Sequence, residues 1–166
     1  GLKFRVTTSD VTKSMIEELE ATPQTLAFKE VYGALQTGVV DGQENTWSNI
    51  YSQKFFEVQD GITETNHQFL TYFMVTSNQF LESLDDETRE EFLAIVDEVS
   101  TEYNNRSNAI NEEAKQKIIE AGGTVRELTS EQRQEWVDAM KPVWNQFEDT
   151  IGADIIEAAV ESNKNI

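Results

Sequence analysis

No cysteine occurs in the 166 residues, which excludes disulfides, zinc–thiolate sites and thiol catalysis. Histidine occurs once, at His67, so no imidazole cluster is available for metal binding or acid–base work. Basic residues are scarce: 13 Lys and Arg stand against 31 Asp and Glu, a formal net charge of −18. A surface this acidic repels phosphate backbones and anionic lipid, which argues against nucleic-acid binding and electrostatic membrane anchoring. No apolar run approaches the ~20 residues of a membrane span, so no direct membrane insertion is expected. No signal peptide is recognisable either. The chain opens on GLKFRV, which reads as the middle of a longer sequence, so a mature or truncated chain is expected. Two prolines and eight glycines are few enough to leave room for long helices.

Hydrophobic residues make up 38% and aromatics 10%, spread along the whole chain. That argues for a packed core and against disorder. Residues 3–7 alternate around Phe4 and Val6 and predict a short strand. Ser9 or Asp10 caps a helix with Val11, Met15, Ile16 and Leu19 on one face, and Pro23 is expected to stop it. Thr25, Leu26 and Ala27 predict a second strand. Residues 29–37 predict a helix with Val31, Tyr32 and Leu35 inward, ended by Gly38, followed by a brief strand and turn at VVDG. Residues 47–54 predict another helix, with Trp47, Ile50 and Tyr51 on its apolar side. The run FLTYFMVT (residues 69–76) is almost wholly apolar and predicts a central strand covered on both faces.

A helical turn over residues 78–83 follows, and then a helix of well over thirty residues from near Asp85. Phe92, Val96, Val99, Tyr103, Ile110, Ala114 and Ile118 recur there at intervals of three, four or seven. Gly122 and Gly123 end it. Residues 124–128 predict a strand. Thr129 and Gln132 form a capping box for a helix carrying Trp136, Met140, Trp144 and Phe147, which Pro142 is expected to kink or interrupt. A last helix covers residues 153–161. Strands alternating with helices give the α/β class with a mostly parallel sheet.

Little here supports catalysis. There is no nucleophile elbow, no glycine-rich phosphate loop and no metal-ligand cluster. The acidic pairs Asp85–Asp86 and Glu90–Glu91 sit on a predicted helix surface and read as a solvated face. Arg5 differs, because it lies within an apolar strand. Its planar fork suits a carboxylate bidentately, although an ion pair with one of the many acids fits the residue type equally. Asp41-Gly42-Gln43-Glu44-Asn45 is a polar cluster after a short apolar strand, and the ends of strands are where ligands bind in α/β sheets. Asn45 can donate and accept at once; it can equally cap the helix that follows. His67 is either a satisfied histidine at a strand start or a hydrogen-bond partner for Glu44.

Taken in order, GLKFRV, LAFKEVYGALQTGVVDGQEN, KFFEVQ and TNH resemble the solute receptors of the tripartite ATP-independent periplasmic (TRAP) transporters. The resemblance extends over essentially the whole chain. The continuation TWSNIYSQK resembles the C4-dicarboxylate branch (DctP type), where many relatives with other substrates have Pro in place of Thr46. The resemblance implies a periplasmic, two-lobed cleft protein, with a signal peptide in its precursor, that closes on a small organic acid and passes it to membrane permease subunits. It implies a periplasmic-binding-protein-like α/β lobe over residues 1–68 and 111–166. Residues 69–110 would return to the other lobe and begin the long spanning helix.

By position, Arg5 matches the arginine that pairs with the ligand carboxylate, Asn45 the asparagine bonded to the same group, and Phe28 an aromatic along the ligand. Thr7 falls where relatives place a cleft-wall contact. Glu44 and His67 flank this site, and a protonated His67 pairing with Glu44 would bias the closed state. No catalytic residue, cofactor or metal is implied. Two other readings stay open: an enzyme acting on a small organic acid, and a helical interaction protein using the long acidic helix.

Overall fold

A computed structural model describes residues 1–163. The first half of the chain gives β1 (Lys3–Val6), α1 (Asp10–Glu18), β2 (Thr22–Thr25), α2 (Val31–Gln36), β3 (Gly42–Gln43), α3 (Trp47–Ser52) and β4 (Ile62–Glu64). The second half gives α4 (Asn78–Ser83), α5 (Asp86–Glu120), β5 (Val125–Glu127), α6 (Ser130–Ile151) and α7 (Ala153–Asn163). Short 3₁₀ turns occupy Phe28–Glu30 and Phe55–Val58. Two compact units result. One holds Gly1–Glu44, Gln53–Thr65 and the chain from Gly123 on; the other holds Asn45–Ser52 and Asn66–Gly122.

In the first unit β1 lies between β2 and β3, parallel to both. A second parallel pair joins β4 to β5. The expected α/β class with parallel strands is therefore present. Val6 is fully buried and forms a core with Met15 and Ile16 of α1 and Met140 and Val143 of α6. Phe4, Leu19, Trp144 and Phe147 pack around it. Each such side chain contributes roughly 1.5–3 kcal/mol when taken out of water.

α1 begins at Ser9, whose hydroxyl accepts the Thr12 N–H at 3.3 Å. It ends before Pro23 is reached, where Glu20 adopts a left-handed φ of 57°. The expected strand at Thr25 lies earlier, and Pro23 sits inside it. That is tolerable because β2 is an edge strand, where a missing N–H breaks no ladder on the outer side. Pro142 likewise fails to interrupt α6, which continues to Ile151. Buried Met140 and Val143 flank the proline, and their packing offsets a penalty of about 3 kcal/mol. The capping box forms as read: Thr129 Oγ1 accepts the Gln132 N–H at 3.2 Å, and Gln132 Oε1 accepts the Thr129 N–H at 3.0 Å.

In the second unit α3 packs on the 35-residue α5. Asp85 caps α5 by accepting the Thr88 N–H at 2.9 Å, and Gly122, at φ 89°, follows its end. Ile50, Ala114 and Ile118 are buried. Lys115 lies 5.6 Å from the Trp47 ring centroid and Lys117 5.5 Å from that of Tyr51.

The FLTYFMVT strand is not formed. Among the described residues, 66–77 belong to no strand, and Phe69, Phe73 and Val75 are 93%, 83% and 84% exposed. A strand exists only where a neighbour takes up its N–H and C=O groups, and this run is paired with no strand.

Candidate functional site

Arg5 sits in the central strand of the first unit and is only 5% exposed. Strand alternation alone would alternate its side chain with those of Phe4 and Val6 on the two sheet faces. What makes burial tolerable is the bend after β2. The Leu26 carbonyl accepts from Arg5 Nε at 3.1 Å and from Nη2 at 3.0 Å. One edge of the guanidinium is thus fixed to the backbone. The other edge, two parallel N–H bonds, is the geometry that grips a carboxylate bidentately. Burial pushes the Arg5 pKa down from its usual value, and the negative charge of Glu44 partly opposes this. An arginine stays charged even so, so the fold holds a partly desolvated cation that an anion would stabilise.

Phe28 opens the 3₁₀ turn just beyond Leu26, and its ring centroid lies 5.9 Å from the Arg5 guanidinium carbon. Phe55, 1% exposed, meets the Phe28 ring edge-on, with centroids 5.8 Å apart and an interplanar angle of 78°. Ala27 N–H donates to the Glu30 carboxylate at 3.1 Å, which fixes the start of the turn. Phe28 is thereby anchored from below yet remains 39% exposed. Thr7 directly follows β1, and its Oγ1 accepts the Ser9 N–H at 3.4 Å.

Gln43 pairs with Arg5 in the sheet register, so Glu44 leaves the sheet at the level of the arginine. Gly42 is buried against the Phe4 ring, and a Cβ there would lie 2.6 Å from it. The glycine in DGQEN is thus favoured by packing against Phe4.

Asn45 belongs to the second unit. Its Oδ1 accepts from Asn49 Nδ2 at 2.6 Å and from the Thr46 N–H at 3.3 Å. His67 lies in the same unit, after Asn66 in a left-handed conformation at φ 47°, and is half-buried. The structure therefore brings Arg5, Phe28 and the charge of Glu44 together, with Thr7 at the end of the same strand. It places Asn45 and His67 with α3 and α5. Residue-type reasoning did not single out the Leu26 carbonyl, Phe55 or Asn49. Only Asn49 carried a usable signal, being four residues from Asn45 at the start of a predicted helix. Among the described residues no group of three or more His, Asp or Glu is arranged to hold a metal. None of the described helices is long and apolar enough to cross a membrane.

The sequence pattern of the bacterial extracellular solute-binding proteins, family 7, matches residues 1–150. The chain belongs to this family. It is 58% identical over 164 residues to the C4-dicarboxylate-binding periplasmic protein DctP of Vibrio cholerae, covering 99% of this chain and 49% of that protein. Its structure is similar to that of a TRAP periplasmic solute binding protein from Shewanella oneidensis with bound succinate. That match has a TM-score of 0.94 and 47% identity, over 98% of this chain and 54% of the other. A TRAP periplasmic solute binding protein from Pseudomonas aeruginosa with bound L-malate matches with a TM-score of 0.85 and 39% identity, over 88% of this chain and 51% of the other. This family 7 chain thus spans about half the length of the relatives it matches, 49% in the Vibrio cholerae protein.

Proposed function

We propose that the family 7 protein containing this chain is a periplasmic receptor for a small C4-dicarboxylate of the succinate, malate or fumarate type. It captures the acid in a closing cleft and delivers it to TRAP permease subunits in the membrane. The observation that carries this reading is Arg5, a residue 5% exposed whose guanidinium has one edge tied to Leu26. Such a group is rarely buried without an anionic purpose. The relatives with bound succinate and L-malate support the ligand class. In this reading Arg5 and Asn45 donate to a ligand carboxylate, Phe28 packs along its carbon chain, and Thr7 lies at the wall. No bond of the ligand is broken: incubated with succinate, malate or fumarate, the protein returns each unchanged.

The same reading assigns residues 1–68 and 111–166 to one lobe and 69–110 to a segment returning to the other. The exposure of Phe69, Phe73 and Val75 supports that assignment. Calorimetry on the full-length protein tests the site. Arg5→Ala weakens succinate binding at least ~100-fold, because a charge-assisted pair is lost twice over. Arg5→Lys does not restore it, since an ammonium cannot bridge Leu26 and a carboxylate in one plane. Affinity near that of the unsubstituted protein in Arg5→Lys removes Arg5 from the site.

A further inference from the structure

The Asn45 amide has two chemically opposite ends, and only the Nδ2 end suits an anionic oxygen. In the second unit its Oδ1 is already taken by two donors, Asn49 Nδ2 at 2.6 Å and the Thr46 N–H at 3.3 Å. The Asn49 backbone is itself held. It lies in α3, one turn beyond Asn45, and its N–H reaches Thr46 Oγ1 at 3.4 Å. Thr46 Oγ1 is 3.1 Å from Ser48 Oγ, and the Ser48 N–H donates to Asn111 Oδ1 at 3.1 Å. Asn111 is fixed on α5 by donating from Nδ2 to the Ser107 carbonyl at 3.1 Å. The first turn of α3 is therefore tied to a long helix by side chains that complete one another's hydrogen bonds.

We propose that Asn49 is a positioning residue for ligand binding: by donating to Asn45 Oδ1 it sets which end of the Asn45 amide meets the carboxylate. The inference rests on the dicarboxylate reading and adds a residue to it. Its chemical content is a polarity. If the Asn45 amide were reversed, its Nδ2 would confront the Thr46 N–H, donor against donor, and the Asn49 amide would have to turn over as well. Asn45 Oδ1 would then face the ligand oxygen, acceptor against anion. Asn49 costs nothing at the moment of binding because the choice is made beforehand.

The test is a cycle of variants in the full-length protein, with succinate as the probe and calorimetry as the readout. Asn49→Asp replaces the donor by an acceptor at neutral pH, so Asn45 turns to donate to the introduced carboxylate and presents Oδ1 to the ligand. The added charge also repels succinate, but it does so whether or not Asn45 is present. Asn49→Asp therefore weakens binding about tenfold more with Asn45 in place than in an Asn45→Ala background. Equal losses in the two backgrounds overturn the inference. Should Asn49→Asp not fold, Asn49→Ala decides by the same cycle. Its loss vanishes in Asn45→Ala if Asn49 acts through Asn45, and adds fully if Asn49 only stabilises α3.

Two further outcomes separate the levels of the argument. An unsubstituted protein that does not bind succinate overturns the receptor reading, and this inference with it. Binding that Asn45→Ala leaves intact overturns the inference and Asn45's place in the site, and leaves the receptor reading standing.

Discussion

Arg5 and Phe28 illustrate how much of a side chain's placement comes from neighbours of unrelated type. Arg5 is oriented by a backbone carbonyl, at Leu26, and Phe28 by a buried ring, at Phe55. Arg5 and Asn45 stood out in the sequence by residue type and Phe28 through the family resemblance. The Leu26 carbonyl did not, since every residue has one and only the fold selects which is used. Gly42 is a second case. Its small size reads from the sequence as a turn signal, yet it also lies under the Phe4 ring, 2.6 Å from where a Cβ would stand. Phe4 borders the Val6 core cluster, so the ring has limited room to retreat. Gly42→Ala is therefore expected to destabilise the protein by about 1–3 kcal/mol through overpacking. A denaturant midpoint that falls at constant slope bears this out, and an unchanged midpoint shows that the ring gives way freely.

Helices were read more securely than strands, for a reason visible in α5 and β3. Thirty-five residues of α5 repeat a period many times, whereas the two residues of β3 carry none. The strand expected at VVDG accordingly begins three residues later, at Gly42, and β4 was not foreseen at all. The α5 start was legible through Asp85, and its chemistry gives a pH dependence. The Thr88 N–H and hydroxyl, at 2.9 and 2.8 Å, hold the Asp85 carboxyl below the usual aspartate range. A carboxyl with a folded pKa below its unfolded one stabilises the fold fully above the unfolded value, about 3.9. That contribution disappears as pH falls through the folded value. Asp85→Ala should thus lower the melting temperature at pH 7, with the gap to the unsubstituted protein narrowing only below about pH 4. A gap independent of pH between 7 and 3 would mean that the cap's charge contributes nothing.

At the scale of the whole chain, periodicity locates apolar faces but cannot name what covers them. The α5 stripe was read correctly as a series, yet of its members only Ala114 and Ile118 are buried, while Val99 and Tyr103 are 52% and 61% exposed. Phe69, Tyr72, Phe73 and Val75 of the same unit are 77% to 93% exposed. An apolar run in this state satisfies the pattern of a central strand without being one, because pairing is decided by a neighbour and not by the run itself. Exposed apolar surface on this scale marks a surface awaiting a partner, consistent with the proposed assignment of residues 69–110 to another lobe. The net charge of −18 keeps copies apart only over about 8–10 Å at ordinary salt, too short a range to shield an exposed apolar run. Expressed alone, the 166-residue chain is therefore expected to self-associate and to bind an apolar dye, increasingly so as salt rises. Replacing Phe69, Phe73 and Val75 together by serine should abolish both while leaving its melting temperature unchanged, since none of the three packs in the present folded units. In the full-length protein the same triple change should instead lower the melting temperature. Equal stability of the full-length protein with and without it would show that the run remains solvent-exposed there, and that no second lobe covers it.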